Sequence, residues 1–308
     1  MTLPPLPTPH GEKLAALAQN TKLPPQDEER VKQAQARYES WRRESLSTTT
    51  GTRYEVIQRL VHGLNEYKRA VDIDLIFDSD ADWLYRQKGQ TKLDNSIIEE
   101  FLPMLVTAVF GEELSGDILR LGPTTCFSSL RFESSIARAS RGAGLSVRSK
   151  DQDFAISRPV YIMASHYPDF RDASTQQTQI AYIAAECKTN LDKTMFQEAA
   201  ATAQDVKVAV PGAQYFLLCE WLDMTPISTS LTPIDEILIL RKAKRLPSNV
   251  RKSFSTSAGR KRHREAFAAH LDNHPFAEDV FMRWIQHVER TVMADSLDTQ
   301  KALSEGYF

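Results

Sequence analysis

Between residues 27 and 110 apolar side chains return every three or four positions. Val31, Ala34, Tyr38 and Trp41 do so inside a highly charged segment. Tyr54, Ile57, Leu60, Val61 and Leu64 repeat the spacing, and Ile97, Ile98, Phe101, Leu102, Leu105 and Val109 repeat it again. A period near 3.6 puts each set on one face of a helix, so the stretch predicts successive amphipathic helices. Ser96, three residues before Glu99, reads as a capping box, and Pro103 as a kink or a tightened first turn. Residues 1–115 are expected to form a helical region that packs on the rest of the chain. Its first ten residues, with Pro4, Pro5, Pro7 and Pro9, are expected to be a mobile polyproline-like leader.

From about residue 128 the pattern changes to mixed helix and strand. Residues 129–141 predict a short helix that ends in the glycines of Arg141-Gly142-Ala143-Gly144. Leu145 and Val147 alternate with polar residues, Asp153-Phe154-Ala155-Ile156 continues extended, and Val160 to Met163 and Ile180 to Cys187 are apolar runs of strand length. Lys193 to Lys207 is rich in Ala, Gln, Glu and Met and predicts helix. Tyr215 to Cys219 and Ile237 to Leu240 predict buried strands. The order is helix, three strands, helix, strand and one more strand. The chain then turns basic and closes in helix-like sequence from Phe276 to Met293. The fold class is therefore α/β: a core at 116–245 with a mixed sheet flanked by helices, an N-terminal helical region at 1–115 and a basic, helical C-terminal region at 246–308.

Composition narrows the function classes. The formal net charge is −2, so any positive surface for nucleic acid must be local. The three cysteines, Cys126, Cys187 and Cys219, are far apart and odd in number. That argues against a disulfide framework or a zinc cluster and for a reducing, cytoplasmic setting. No apolar run approaches the roughly 20 residues of a membrane span. The opening Met-Thr-Leu-Pro-Pro lacks a basic region followed by an apolar one, so no secretory signal is expected.

The chemistry concentrates in Ile180-Ala-Tyr-Ile-Ala-Ala-Glu186-Cys-Lys188. Side chains alternate along a strand, so Glu186 and Lys188 share a face while Cys187 points into the core. Such a triplet alone is most often a surface ion pair. Here it closes a buried strand, where packing gives no reason for a carboxylate beside an ammonium. Phosphodiester hydrolysis does give one. A carboxylate suits Mg²⁺, a hard cation that polarises phosphate and activates water, and a lysine can position that water or offset developing charge. A second carboxylate stands at Asp153, on a preceding strand. Asp151 shares its face and could take the same place; Asp153 is preferred because the apolar run begins directly after it.

This arrangement resembles the PD-(D/E)XK nuclease superfamily, with Gln152 standing where that pattern has its proline. Longer segments resemble the Bpu10I family of type II restriction endonucleases. These are Gly89-Gln-Thr-Lys-Leu-Asp-Asn-Ser-Ile-Ile-Glu-Glu-Phe-Leu102, Glu186-Cys-Lys-Thr-Asn-Leu-Asp-Lys-Thr-Met-Phe-Gln-Glu-Ala199, Leu218-Cys-Glu-Trp-Leu-Asp-Met-Thr225 and Ile237-Leu-Ile-Leu-Arg-Lys242. The resemblance implies Mg²⁺-dependent cleavage of both strands of DNA at a short, nearly symmetric site, and a companion DNA methyltransferase. It also implies a dimer on DNA, either a homodimer or a heterodimer with a related subunit; the helical N-terminal half is the expected contact surface, because its amphipathic stripes exceed what one small core needs. In several nucleases of this superfamily the helix before the catalytic strands lends the metal a further carboxylate, and Glu133 is the candidate here. Two alternatives stay open: a repair, recombination or mobile-element nuclease of the same superfamily, or a catalytically silent DNA-binding protein.

Two further features point to DNA. Lys193 opens the helix after the triplet, whose free N–H groups favour a phosphate, while Asp192 reads as its N-cap. Between Arg241 and Arg264 lie ten Lys and Arg and no acidic residue. Arg251, Lys252, Arg260, Lys261, Arg262 and Arg264 of this run are the candidate phosphate contacts.

Overall fold

The computed structural model describes residues 5–111, 113–114, 118–136, 142–292 and 299–306. Five helices lead: α1 (Pro9–Ala18), α2 (Glu28–Ser47), α3 (Arg53–Arg69), α4 (Asp82–Gln90) and α5 (Ser96–Phe110). A π-helical run, Ala70–Phe77, prolongs α3. Their apolar stripes all turn inward. Val31, Trp41, Ile57, Leu64, Phe101 and Leu105 join one core with Phe154, Ile183 and Phe216. Large exposed apolar side chains on α2 and α3 are limited to Leu46 and Tyr54.

Two local expectations are corrected. Ser96 and Glu99 do not form a capping box. Asn95 is the N-cap of α5 and lends no side-chain bond to the helix backbone. Ser96 Oγ instead donates to the Leu93 carbonyl at 3.0 Å, and α5 runs on through Pro103 to Phe110. Residues 5–8 are not a loose leader: the Arg42 guanidinium donates to the Leu6 and Pro7 carbonyls, and Leu6 packs on the core.

The sheet holds β1 (Arg120–Arg131), β2 (Ser146–Ala164), β3 (Ser174–Leu191), β4 (Gln214–Leu222) and β5 (Glu236–Ile239), side by side in that order. The first three are antiparallel neighbours; β3, β4 and β5 are parallel. Helix α6 (Lys193–Ala209) makes the crossover from β3 to β4. The predicted helix at 129–141 is overturned. Residues 129–131 end β1, residues 132–136 are irregular, and 137–141 lie outside the described residues. The β1 sequence hid itself. It carries Gly122, Pro123 and a run of Ser and Thr, and two bulges against β2 break its alternation. The segments read as separate strands at 145–147, 153–156 and 160–163 are one long strand, β2. The order helix, three strands, helix, two strands survives, with α5 as its helix and β1 as its first strand.

The chain closes with α7 (Ser248–Lys252), α8 (Ser257–Asn273), α9 (Glu278–Val292) and α10 (Thr299–Glu305). Helix α9 buries Phe281, Trp284, Ile285 and Val288, and Trp284 meets Phe154 edge-on at 5.2 Å. No described helix is long and apolar enough to cross a membrane.

Candidate active site

Strand register assembles the site. Phe154 lies opposite Ala185, which carries Asp153 to the place where β3 presents Glu186. Asp153 Oδ2 accepts the Cys187 N–H at 2.9 Å. Glu186 and Lys188 share a face, as period two requires, with Nζ 2.9 Å from Oε2. The other Glu186 oxygen accepts the Tyr215 hydroxyl at 2.7 Å from neighbouring β4. Cys187 turns the opposite way into the core. The Glu186 and Lys188 side chains are 12% and 24% exposed, desolvated but still open to a ligand.

A third carboxylate, Glu99, comes from the first turn of α5. Asn95 clamps it in place: its amide donates to Glu99 Oε1 at 3.1 Å and to the Cys187 carbonyl at 2.8 Å, tying α5 to β3. Burial pushes the Asp153 carboxyl above its ordinary value, although the Cys187 N–H and the Lys188 charge pull the other way. Glu99 is pushed up by burial and then by the Asp153 charge. Burial works against the Lys188 ammonium, but Glu186 outweighs it and holds that charge firmly on. Burial, then Glu186, drives the Tyr215 phenol far up, so it remains a hydrogen-bond donor. Sequence reasoning missed Glu99 because its spacing from Ser96 has a simpler meaning at a helix start. The usable signal was its place on the last helix before the strands.

Among the described residues no three of His, Cys, Asp and Glu form a ready-made metal cage. The donor set nonetheless fits Mg²⁺. That ion takes hard oxygen ligands, needs only one or two carboxylates, and completes its shell with water and phosphate. The raised Asp153 and Glu99 carboxyls are like charges crowded in a poorly solvated place, which a divalent cation would relieve.

The remaining candidates scatter. Asp151 is exposed and accepts the Thr125 hydroxyl at 2.6 Å, directed to β1 and not to Glu186. Glu133 sits in the irregular segment after β1 and accepts the Ser135 N–H at 3.2 Å. It lies beyond the Arg131–Ser146 pair, which is seven residues of strand, roughly 20 Å of chain, from Asp153. Glu133 is therefore not the helix-borne carboxylate it was read to be. Lys193 is the exposed first residue of α6, and Asp192 caps that helix through the Met195 N–H at 2.9 Å.

The basic run is largely neutralised in space. Arg260 is fully buried and donates to the carbonyls of Phe77, Ser79, Ala81 and Phe254, so it cannot meet a phosphate. Lys261 pairs with Asp80 at 2.6 Å and Arg264 with Asp78 at 2.8 Å. Arg251 donates to the Leu246 carbonyl and lies 3.8 Å from Asp223. The acids opposite Arg260, Lys261 and Arg264 come from Asp78 to Asp82, so a run without acids in sequence meets acids across the fold. Lys252 and Arg262 are exposed, and among the described residues neither makes an ion pair.

Beside the carboxylates opens a cavity of about 590 Å³, walled by Lys92, Asn95, Lys188, Asn190, Arg245 and Arg251 among others. A mixed five-stranded sheet flanked by helices, presenting an acidic residue and Glu-x-Lys from adjacent strands, defines the PD-(D/E)XK class. The sequence profile of the Bpu10I restriction endonuclease matches residues 90–308, more than two thirds of the chain, and the protein belongs to that family. Among solved structures it is similar to one titled "native BbvCI A2B2 tetramer at low resolution". Identity there is 20%, the TM-score is 0.49, and the match covers 86% of this chain and 96% of that one. No curated protein matches it.

Proposed function

We propose that this chain is a type II restriction endonuclease that hydrolyses phosphodiester bonds of double-stranded DNA at specific sites with Mg²⁺. The observation that carries the reading is the convergence of Asp153, Glu186 and Lys188, with two carboxylates on adjacent strands and an ammonium 2.9 Å from one of them. Asp153 and Glu186 would hold the ion, with Glu99 as a third oxygen donor. When bound, Mg²⁺ polarises the phosphate and makes water a better nucleophile. Lys188 stays charged at the reacting end and can donate to the attacking water or to a phosphate oxygen as charge builds there. Tyr215 fixes the Glu186 carboxylate through its hydroxyl, and the Cys187 N–H fixes Asp153. Lys193, Arg251, Lys252 and Arg262 remain the candidates for phosphate contact outside the reacting centre.

One such site cuts one strand, so the reading includes a dimer on DNA, of identical or related subunits, in a cytoplasm where a methyltransferase protects the host's own sites. The experiment is digestion of a sequenced supercoiled plasmid by this chain alone with Mg²⁺, followed by run-off sequencing. Discrete ends at a short recurring sequence are expected. Random ends would overturn site specificity. Nicking alone at that sequence would make the chain one half of a heterodimer.

A further inference from the structure

The turn between α4 and α5 contains an exposed lysine in a conformation that lysine disfavours. Lys92 takes a φ of +52°, in the left-handed region where a Cβ crowds the backbone and where Gly, Asn or Asp is the usual occupant. The turn around it is firmly set. Leu93 is fully buried, and its carbonyl accepts the Ser96 hydroxyl. Asp94 is buried and pairs with Lys88 at 3.2 Å. Asn95 reaches the Cys187 carbonyl, and the Lys92 carbonyl accepts the Ser96 N–H at 3.1 Å. These contacts leave the Lys92 side chain facing out, on the wall of the cavity that Lys188 and Asn190 also line. Its charge bears on Asp153 and Glu99, pulling against the burial that raises both carboxyls, so it stands within electrostatic reach of the reacting centre.

The three lysines at this opening are not equivalent. Lys88 is committed to Asp94 and Lys188 to Glu186, whereas among the described residues the Lys92 ammonium makes no ion pair. Among the described residues Arg86 and Lys92 line the cavity without an ion pair, and it is Lys92 whose charge bears on Asp153 and Glu99, so a phosphate drawn to the carboxylates meets Lys92 as an uncommitted cation. Backbone strain of this kind recurs at functional sites, where the surrounding contacts hold it in place. We propose that Lys92 is a phosphate-binding group of the active site. It would donate to a non-bridging oxygen of the strand being cut and hold it against Lys188 and the carboxylates. This rests on the DNA-cleaving reading above and adds to it a residue that binds and positions the substrate.

The test compares wild type with Lys92→Gly, Lys92→Arg and Glu186→Gln. Each is titrated with a fragment spanning a cut site mapped in the plasmid digest, in Ca²⁺ at several salt concentrations. Cleavage of bound fragment is then timed in Mg²⁺. Glycine accepts the positive φ, so Lys92→Gly is expected to fold and to melt within a few degrees of wild type. Its binding should weaken about tenfold, and its log–log salt slope should fall by about 0.9, the signature of one lost phosphate contact. Lys92→Arg should restore the slope. An unchanged slope and unchanged cleavage in Lys92→Gly would overturn the proposal and leave Lys92 a solvated turn residue. An unchanged slope with weakened Mg²⁺ dependence would overturn it too, by assigning the charge to the carboxylates alone. Failure of the underlying reading looks different: wild type and Glu186→Gln would then behave alike in Mg²⁺.

Discussion

Replacing Arg260 by alanine separates a structural from a DNA-binding role for the basic C-terminal run. The guanidinium is fully buried and donates to four carbonyls at 2.9–3.1 Å, with Asp82 at 3.3 Å. Alanine would strand those carbonyls and free Asp82 of its partner. One stranded buried polar group costs about 1–3 kcal/mol, whereas Asp82, its side chain 37% exposed, is served by water once its partner is gone and adds little. Water entering the vacated volume would serve some of the carbonyls, which puts the loss at about 4 kcal/mol. Against a total stability of about 5–15 kcal/mol that is a large fraction. Arg260→Lys should recover little, because a single ammonium cannot reproduce a planar fork bonded on several sides. Lys261→Ala, on an exposed pair, should leave stability nearly unchanged. Urea unfolding followed by circular dichroism measures this, the midpoint dropping for Arg260→Ala at constant m-value. The reasoning is refuted if Arg260→Ala unfolds with wild type while its DNA-binding salt slope falls, since that would put the guanidinium in solvent.

Three further outcomes are expected from the same geometry. Glu99→Gln should slow cleavage in Mg²⁺ by about tenfold or more, while Asp151→Asn and Glu133→Gln leave it unchanged; the reverse ranking in a single-turnover assay would remove Glu99 from the site. Mg²⁺ should raise the melting temperature of wild type but not of Asp153→Asn, and the rise should grow with pH. The sign comes from Asp153 and Glu99, whose raised carboxyls keep protons that compete with the cation, so the gain shrinks as pH falls toward those values. In chelator the same two groups act oppositely. Their stabilising contribution is complete below the ordinary carboxylate range and is lost as pH rises through their raised values, so Asp153→Asn should flatten that decline in a melting series from about pH 4 to 8.

What the sequence disclosed and what it hid divide along physical lines. Glu186 and Lys188 were legible because a strand's two-residue period puts them side by side whatever the rest of the fold does. The helices α2, α3 and α5 were legible from long 3.6-period stripes, and α6 from its composition and the Asp192 cap. β1 was not, since Gly122, Pro123 and two bulges erase any alternation. Missing β1 pushed the expected helix onto 129–141 and with it the extra carboxylate onto Glu133, when the helix before the strands is α5, which carries Glu99. The basic run misled for a different reason. Charge along the chain says nothing of the acids folding brings to it, and Asp78, Asp80 and Asp82 answer Arg264, Lys261 and Arg260 from some 180 residues away.

Joint action of Asp153, Glu186 and Lys188 on DNA through Mg²⁺ is tested most directly by single-turnover cleavage of plasmid. Wild type, Asp153→Asn, Glu186→Gln and Lys188→Ala are compared in Mg²⁺, beside binding of the same DNA in Ca²⁺. Each variant is expected to melt as a folded protein and to bind DNA in Ca²⁺, yet to cut about two or more orders of magnitude more slowly, and wild type should stop cutting in excess chelator. Cleavage at the wild-type rate by Glu186→Gln, or cleavage that persists in chelator, would contradict it.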